Sequence, residues 1–382
     1  IQDKKLAMMQ RNKIIRAVTV AQSVGFFTGL IPELRERGYE VVSVSSDGPE
    51  LQRVRDAGAR AVVVEMERHI SPVKDLKSLW QMVRVFRREK PQMVHSMTPK
   101  AGLICMLAAW LTRVPARVHT FTGLVFPTAT GLTKRILMAT DWLTCACATH
   151  IIPEGEGVKR DLLNNGITKK PIKVLGYGNC RGIDLERFDK SKVNVTSDDV
   201  HRHFTFIAVG RLVGDKGINE LVAAFSRLNK ELPDTRLLLV GPYEPDLDPI
   251  RPETIKEIEH NPAIEAVGNQ SDVRPFYAAA DCHILASYRE GFPNVVIEAG
   301  AMGLPQIVTD INGANEIIIE GKNGTIVPSK DTDALYQAMR RMTTDGPWRT
   351  TLAANARVMI ASRYEQSFVR QCLYDFYYEV MH

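Results

Sequence analysis

Two α/β domains, each a doubly wound parallel sheet with helices on both faces, are the architecture this sequence predicts. Three observations carry that reading. The chain has 382 residues, more than one ordinary core encloses. Short β-branched runs alternate with segments of helical period, the mark of a parallel sheet wound by helices. The alternation stops near residue 176, crosses a turn-rich and then a polar stretch, and starts afresh at residue 204.

The first domain is expected at 1–188, with strands at 14–20, 41–44, 61–64, 93–96, 117–120, 150–152 and 172–175. Between them run helix patterns at 29–37, ended by Gly38, at 76–89, stopped by Pro91, and at 101–111. The second domain is expected at 189–365, with strands at 204–209, 236–240, 263–267, 282–285, 306–308 and 325–327. The last segment, 366–382, is amphipathic and aromatic-rich and follows a completed sheet, so it is expected to return to the first domain. Ligands of open α/β sheets bind beyond the carboxyl ends of the strands. Two such sheets facing each other would enclose a cleft, which makes strand-end residues the site candidates.

Composition narrows the classes. The chain is 45% hydrophobic and 24% charged, as in soluble globular proteins. No run approaches a membrane span, and the first twenty residues lack a signal peptide's apolar block. The native start is expected near Met8 or Met9. Six cysteines, at 105, 145, 147, 180, 282 and 372, follow no zinc or disulfide spacing, so a cytoplasmic protein without metal or cofactor is expected. The net charge of +5 hides an asymmetry: residues 1–190 hold 30 Lys and Arg against 18 Asp and Glu, and the remainder 19 against 26. A basic first half points to an anionic partner. No nucleic-acid motif is present, so an anionic membrane surface or a phosphorylated lipid is preferred. The absence of a Gly-x-Gly-x-x-Gly after the first strand argues against a nicotinamide enzyme, and the absence of a Gly-x4-Gly-Lys-Ser/Thr loop against a P-loop NTPase.

The most informative stretch runs from Ser287 to Pro305. Glu290 and Glu298 flank Gly291, Phe292, Pro293 and Asn294, which turn from a buried-strand pattern into a short apolar helix. Such a unit sets Glu290 at the strand's carboxyl edge and aims the free N–H groups after Gly291 at a ligand. A helix N-terminus suits phosphate; two acids beside it suit a phosphate that also carries hydroxyl-rich sugars. A capping carboxylate plus a surface acid is the plainer alternative. Gly210-Arg211 and Lys216-Gly217 bracket the loop after the first strand of this domain. Arg offers a planar fork and Lys a mobile charge to a diphosphate.

Taken together, Gly210-Arg211, Lys216-Gly217, Glu290-Gly291-Phe292-Pro293 and Glu298 resemble the nucleotide-sugar domain of retaining family-four glycosyltransferases, which have the GT-B fold of two Rossmann-like domains. His95 to Gly102, Val118-His119-Thr120 and Gly182 to Phe188 resemble first-domain and linker segments of bacterial members that build capsular, O-antigen or glycan-lipid oligosaccharides. The resemblance implies that Arg211 and Lys216 hold the donor's pyrophosphate, usually the largest electrostatic contribution in such a transfer. It implies that Glu298 binds the ribose, that Glu290 faces the transferred sugar, and that the amides after Gly291 meet sugar and phosphate. Gly241, Val267 and Gly268 would frame the base, and His119 would touch the donor sugar. His95, Thr98 and Lys100 would lie on the acceptor side. Lys100 heads a helix, where a positive charge is unfavourable, which suggests an anion nearby; a solvated lysine is the alternative. Family members carry a glycine-rich first loop, for which only Gly25 is present here.

The implied reaction is transfer from a UDP-sugar co-substrate to a lipid-diphosphate-linked saccharide, with retention by same-face attack and no metal or cofactor. A nucleotide-sugar 2-epimerase of similar fold and a non-catalytic sugar-nucleotide sensor are the competing readings. The segment 74–90 puts Leu76, Leu79, Val83 and Phe86 on one face with basic flanks, and 132–142 is similar. Such helices cover the sheet with snorkelling cations or lie on anionic lipid. The covering role is preferred for each helix, and the basic first half supports peripheral contact with the inner face of the cytoplasmic membrane.

Overall fold

The computed structural model describes residues 12–67, 71–193, 203–246 and 248–382. The expected start near Met8 or Met9 and most of the polar stretch before residue 204 lie outside the described residues. The chain divides into two compact units, Ile1–Arg181 with Val369–His382, and Gly182–Phe368.

In the first unit, β1 (Lys13–Ala17) is followed by α1 (Ile31–Glu36), β2 (Glu40–Ser45), α2 (Leu51–Asp56), β3 (Arg60–Val63) and α3 (Pro72–Glu89). Then come β4 (Met93–Met97), α4 (Pro99–Leu111), β5 (Ala116–Phe121), α5 (Gly131–Cys147), β6 (His150–Pro153) and α6 (Glu156–Asn164). The strands pair in parallel in the order β3-β2-β1-β4-β5-β6. Both faces are apolar, as a parallel sheet requires. Ile15, Ala17 and Val94 point into one core with Met82, Phe86 and Ala101. Their neighbours Ile14, Met93 and Val118 point into the other.

The second unit repeats the plan. It runs β7 (Phe204–Val209), α7 (Ile218–Glu231), β8 (Thr235–Val240), α8 (Pro252–His260), β9 (Ile264–Gly268), α9 (Arg274–Ala278) and β10 (Cys282–Leu285). It continues with α10 (Asn294–Ala301), β11 (Gln306–Thr309), α11 (Ala314–Ile317), β12 (Gly324–Val327), α12 (Thr332–Thr344) and α13 (Gly346–Tyr364). The parallel order is β12-β11-β10-β7-β8-β9. The final helix, α14 (Gln366–Met381), buries Leu373, Tyr374, Phe376 and Tyr377 in the second core of the first sheet. Each such side chain removed from water contributes roughly 1.5–3 kcal/mol. Glu33 of α1 fastens it, accepting from the Tyr374 hydroxyl at 2.7 Å and pairing with Arg370.

Three expectations need correction. Residues 172–175 form no strand; Ile172 and Leu175 pack inward while Lys173 is exposed, which gives the alternation without a hydrogen-bonded ladder. The units part at Arg181, not at residue 188. The reason is that the Ile183 N–H donates to Tyr364 O at 2.8 Å and Arg357 donates to the carbonyls of Leu185 and Phe188, which ties 182–188 to α13. On α3, Met82, Val85 and Phe86 are buried, whereas Leu76 faces outward at 67% exposure beside Val73 and Trp80.

Candidate active site

Each sheet order reverses at one point, β7/β10 in the second unit and β1/β4 in the first. Loops leaving adjacent strands diverge there, so the carboxyl edge opens a crevice. In the second unit that crevice receives the loop of Lys216, leaving β7, and the loop of Glu290, leaving β10. Lys216 Nζ lies 2.5 Å from Glu290 Oε1, and the same oxygen accepts from Ser287 Oγ at 2.9 Å. Ser287 is buried, and its carbonyl accepts from Thr309 Oγ1 at 2.6 Å. The loops are stitched together: the Tyr288 N–H donates to Asp215 O at 2.8 Å, and Arg289 meets the Asp215 carboxylate at 3.0 Å. Gly217 permits the approach. Its φ is +67°, and a Cβ there would stand 2.0 Å from Ala286 O, so any larger residue breaks the juxtaposition.

Along the same edge Gly210 and Gly241 follow β7 and β8, and β9 ends in Gly268. The Gly210 N–H donates to Val240 O and the Gly241 N–H to Gly268 O, both at 2.9 Å, with Val267 just before that last glycine. Arg211, next to Gly210, sets Nη1 2.7 Å from Glu244 Oε2. Past Glu290, the turn Gly291-Phe292-Pro293 is buried, and Phe292 packs edge-on against Tyr364 at 5.6 Å. Pro293 has no N–H and no side chain caps α10, so the amides from Asn294 onward face the turn. Glu298 lies one turn further on, partly buried, with the Tyr277 hydroxyl 3.5 Å from its Oε2. Burial first, and then that carboxylate, push the Tyr277 phenol well up. Arg211, Lys216, Glu290 and Glu298 thus belong to one strand edge or to the helix that leaves it.

In the first unit the β1/β4 reversal is closed by two threonines. The Thr19 and Thr98 hydroxyls are 2.8 Å apart, and the Thr19 N–H donates to Thr98 Oγ1 at 3.1 Å. Thr98 holds a φ of +70°, a value that costs a β-branched residue of order 1–3 kcal/mol. His119, on β5, is buried, with Nδ1 2.9 Å from Ser96 Oγ and its ring edge-on to Phe121 at 4.5 Å. Gly102 of α4 makes room for that ring: a Cβ there would stand 2.4 Å from His119 Cε1. Burial holds the imidazole down at about 3, so it is neutral.

The acceptor-side expectations change in this geometry. His95 is closed off in the core, with Nε2 2.7 Å from Thr120 Oγ1 and Nδ1 2.6 Å from the Tyr377 hydroxyl and 3.0 Å from Arg16 Nη1. Burial, then Arg16, hold it well below the usual histidine range. It positions β4 and α14 and offers no atom to an acceptor. The anion near Lys100 is Asp75 of α3, 2.7 Å away. Gly25 is exposed inside a short 3-10 turn, Ala21–Phe26, with an ordinary φ and open space around it, so no glycine-rich phosphate loop forms. Among the described residues no group of three or more His, Cys, Asp or Glu is gathered to hold a metal ion.

Residues 203–345 match the model of glycosyl transferases group 1, and residues 26–178 match a glycosyl transferase 4-like domain. The chain is a group 1 glycosyltransferase. This glycosyltransferase is 33% identical over 374 residues, 97% of both chains, to the capsular polysaccharide biosynthesis glycosyltransferase CapM of Staphylococcus aureus. It is 28% identical over 78% of both chains to an Escherichia coli UDP-Gal:α-D-GlcNAc-diphosphoundecaprenol α-1,3-galactosyltransferase. Among solved structures, Anabaena HepE in complex with UDP and glucose superposes with a TM-score of 0.78 at 19% identity, over 96% of this chain and 100% of that one. That likeness, with the two six-stranded parallel sheets, is the GT-B fold.

Sequence reasoning missed Ser96, Ser287, Asp215 and Glu244. Only Ser287 carried a local signal, three residues before Glu290 in the loop that leaves β10.

Proposed function

We propose that this glycosyltransferase moves a sugar from a UDP-sugar to a lipid-diphosphate-linked saccharide in bacterial polysaccharide assembly, with retention of configuration. The observation that carries the donor half is the Lys216–Glu290 pair at the β7/β10 reversal, with Arg211 on the same edge. Arg211 and Lys216 receive the diphosphate and stabilise its charge as the bond from the anomeric carbon to phosphate oxygen breaks. Glu290, freed from Lys216, accepts hydrogen bonds from sugar hydroxyls, and Glu298 accepts those of the ribose. The acceptor oxygen bonds to the anomeric carbon on the face the phosphate leaves, and its proton passes to the departing phosphate oxygen. His119, neutral and fixed by Ser96 in the first unit, would offer one hydrogen bond to a bound saccharide. The named acceptor of the Escherichia coli relative, a diphosphoundecaprenol-linked sugar, supports the lipid-linked acceptor.

A membrane contact follows from such an acceptor. It is supported by α3, where Val73, Leu76 and Trp80 are exposed and Lys77, Arg84 and Arg87 line the same groove. Trp110 and Leu111 at the end of α4, and Leu132 and Trp142 on α5, are exposed as well. Among the described residues no helix is long and apolar enough to cross a membrane, so the contact is drawn as peripheral. Two assays test the proposal. Incubation with a panel of UDP-sugars should release UDP only when lipid-linked acceptor is added; a new sugar isomer formed without acceptor would replace transfer by epimerisation. Flotation with anionic liposomes should carry the protein in a salt-sensitive way, and Leu76→Asp should abolish it. Equal flotation of variant and parent would remove α3 from the contact.

A further inference from the structure

In the second unit both cations assigned to the diphosphate hold a carboxylate. Lys216 holds Glu290, which has its own work at the sugar. Arg211 holds Glu244, to which the transfer chemistry gives no part. The pairing is built in. Glu244 lies on the loop leaving β8, and backbone bonds lock that loop beside the one carrying Arg211. The Leu212 N–H donates to Pro242 O at 2.8 Å, and the Gly214 N–H to Asp248 O at 2.9 Å. The Asp215 N–H donates to the Asp248 carboxylate at 2.6 Å. The register leaves Glu244 facing Arg211, 2.7 Å away, while both side chains keep partial access to solvent, 30% and 40%. A pair so placed is weak enough to open and close enough to compete.

We propose that Glu244 is an internal competitor of the donor's diphosphate. It holds Arg211 and gives it up only to a ligand that brings more negative charge and more oxygens than one carboxylate. A diphosphate satisfies the guanidinium fork and Lys216 together. A single phosphate meets the same competition with less to offer, so Glu244 raises the selectivity for nucleoside diphosphates over monophosphates. The inference rests on the donor-site reading above.

Isothermal titration of the full chain with UDP, UMP and uridine tests it, using Glu244→Gln, Glu244→Ala, Arg211→Ala, Lys216→Ala and the Arg211→Ala/Glu244→Ala pair. Removing the competitor should tighten UDP by about two- to fivefold, the range set by a partly exposed ion pair. UMP should tighten by at least the same factor, uridine should not change, and the gain for UDP should shrink towards one when Arg211 is absent. Arg211→Ala alone should weaken UDP. If Arg211→Ala weakens UDP while both Glu244 variants leave it unchanged or weaker, Glu244 is no competitor and the donor site stands. Tighter uridine in the Glu244 variants also overturns the proposal, because the effect would not pass through phosphate. If Arg211→Ala and Lys216→Ala both bind UDP as the parent does, the donor-site reading itself falls.

Discussion

Gly102→Ala isolates the placement of His119 better than any change to the histidine itself. Gly102 is buried in α4 with no positive φ, so alanine brings no backbone strain. In a helix interior it should even add about 1 kcal/mol of propensity. Its methyl, however, would stand 2.4 Å from His119 Cε1 and 2.9 Å from both ring nitrogens. Ordinary contact begins at 3.4 Å, so the ring must retreat by about 1 Å, and the 2.9 Å contact with Ser96 Oγ is lost. Overpacking of this kind costs about 1–3 kcal/mol, and the lost hydrogen bond about 1 kcal/mol. The net loss is about 1–3 kcal/mol, a fall in Tm of roughly 3–10 °C for a unit of this size. Because the ring moves, turnover should fall about as far as in His119→Ala. The checks are thermal melting and acceptor-dependent UDP release. A variant that melts higher than the parent and turns over at the parental rate would refute the argument, since it would show the ring free to shift without consequence.

Three other outcomes follow from the same geometry. Glu290→Ala should lower kcat by about a hundredfold or more, as removal of a group acting at the reacting sugar does, whereas Glu298→Ala should mainly raise the donor KM; steady-state kinetics with varied UDP-sugar separates them, and equal effects on both constants would reverse the assignment. Tyr377→Phe leaves Arg16 and His95 each short of a buried partner, so urea unfolding should report a loss of about 1–3 kcal/mol. His283, fully buried and held down to about 4 by burial, binds its proton more readily unfolded, so its contribution is complete above about pH 6.5 and is lost as pH falls towards 4; the stability difference between pH 7 and pH 5 should shrink by about 2 kcal/mol in His283→Leu.

Local chemistry was legible and long-range pairing was not. Arg211, Lys216 and Glu290 announce themselves because each lies in a loop that follows a buried strand pattern, and Glu298 because it lies on the short apolar helix after such a loop; strand ends are where open sheets bind ligands. All twelve observed strands begin within one residue of their expected positions, since a sheet buried on both faces writes continuous apolar runs into the chain. The false strand at 172–175 shows the limit of that signal: alternation records which side chains are buried, not whether the backbone finds a partner. The Arg16–His95–Tyr377 network joins residues from β1, β4 and α14, and no spacing in the sequence could have brought them together. Nor could it have shown that His95, three residues before Thr98, turns inward while the backbone at Thr98 is strained at the loop.

The same blindness affects charge. The basic first half holds 30 cations against 18 acids, and the fold shows which of those cations are already held. Lys100 is held by Asp75, Lys170 is folded against the last carbonyls of α5 at Cys145, Ala146 and Ala148, and Lys13 and Arg60 share Glu89. What remains for an anionic partner is a smaller set whose position matters more than its number. Arg84 lies over the Trp80 ring at 3.4 Å, and Lys77 and Arg87 line the groove that Leu76 and Trp80 leave open. Cations beside exposed aromatic and aliphatic side chains are what a lipid headgroup layer engages, whereas a cation already bonded to a carboxylate must first be released. In the second unit the same logic runs the other way. Arg211 and Lys216 each hold a glutamate, so in the proposed reading a diphosphate would have to displace two carboxylates to reach them. Net charge counts both kinds of cation alike; the fold separates those beside exposed apolar side chains from those held by a carboxylate.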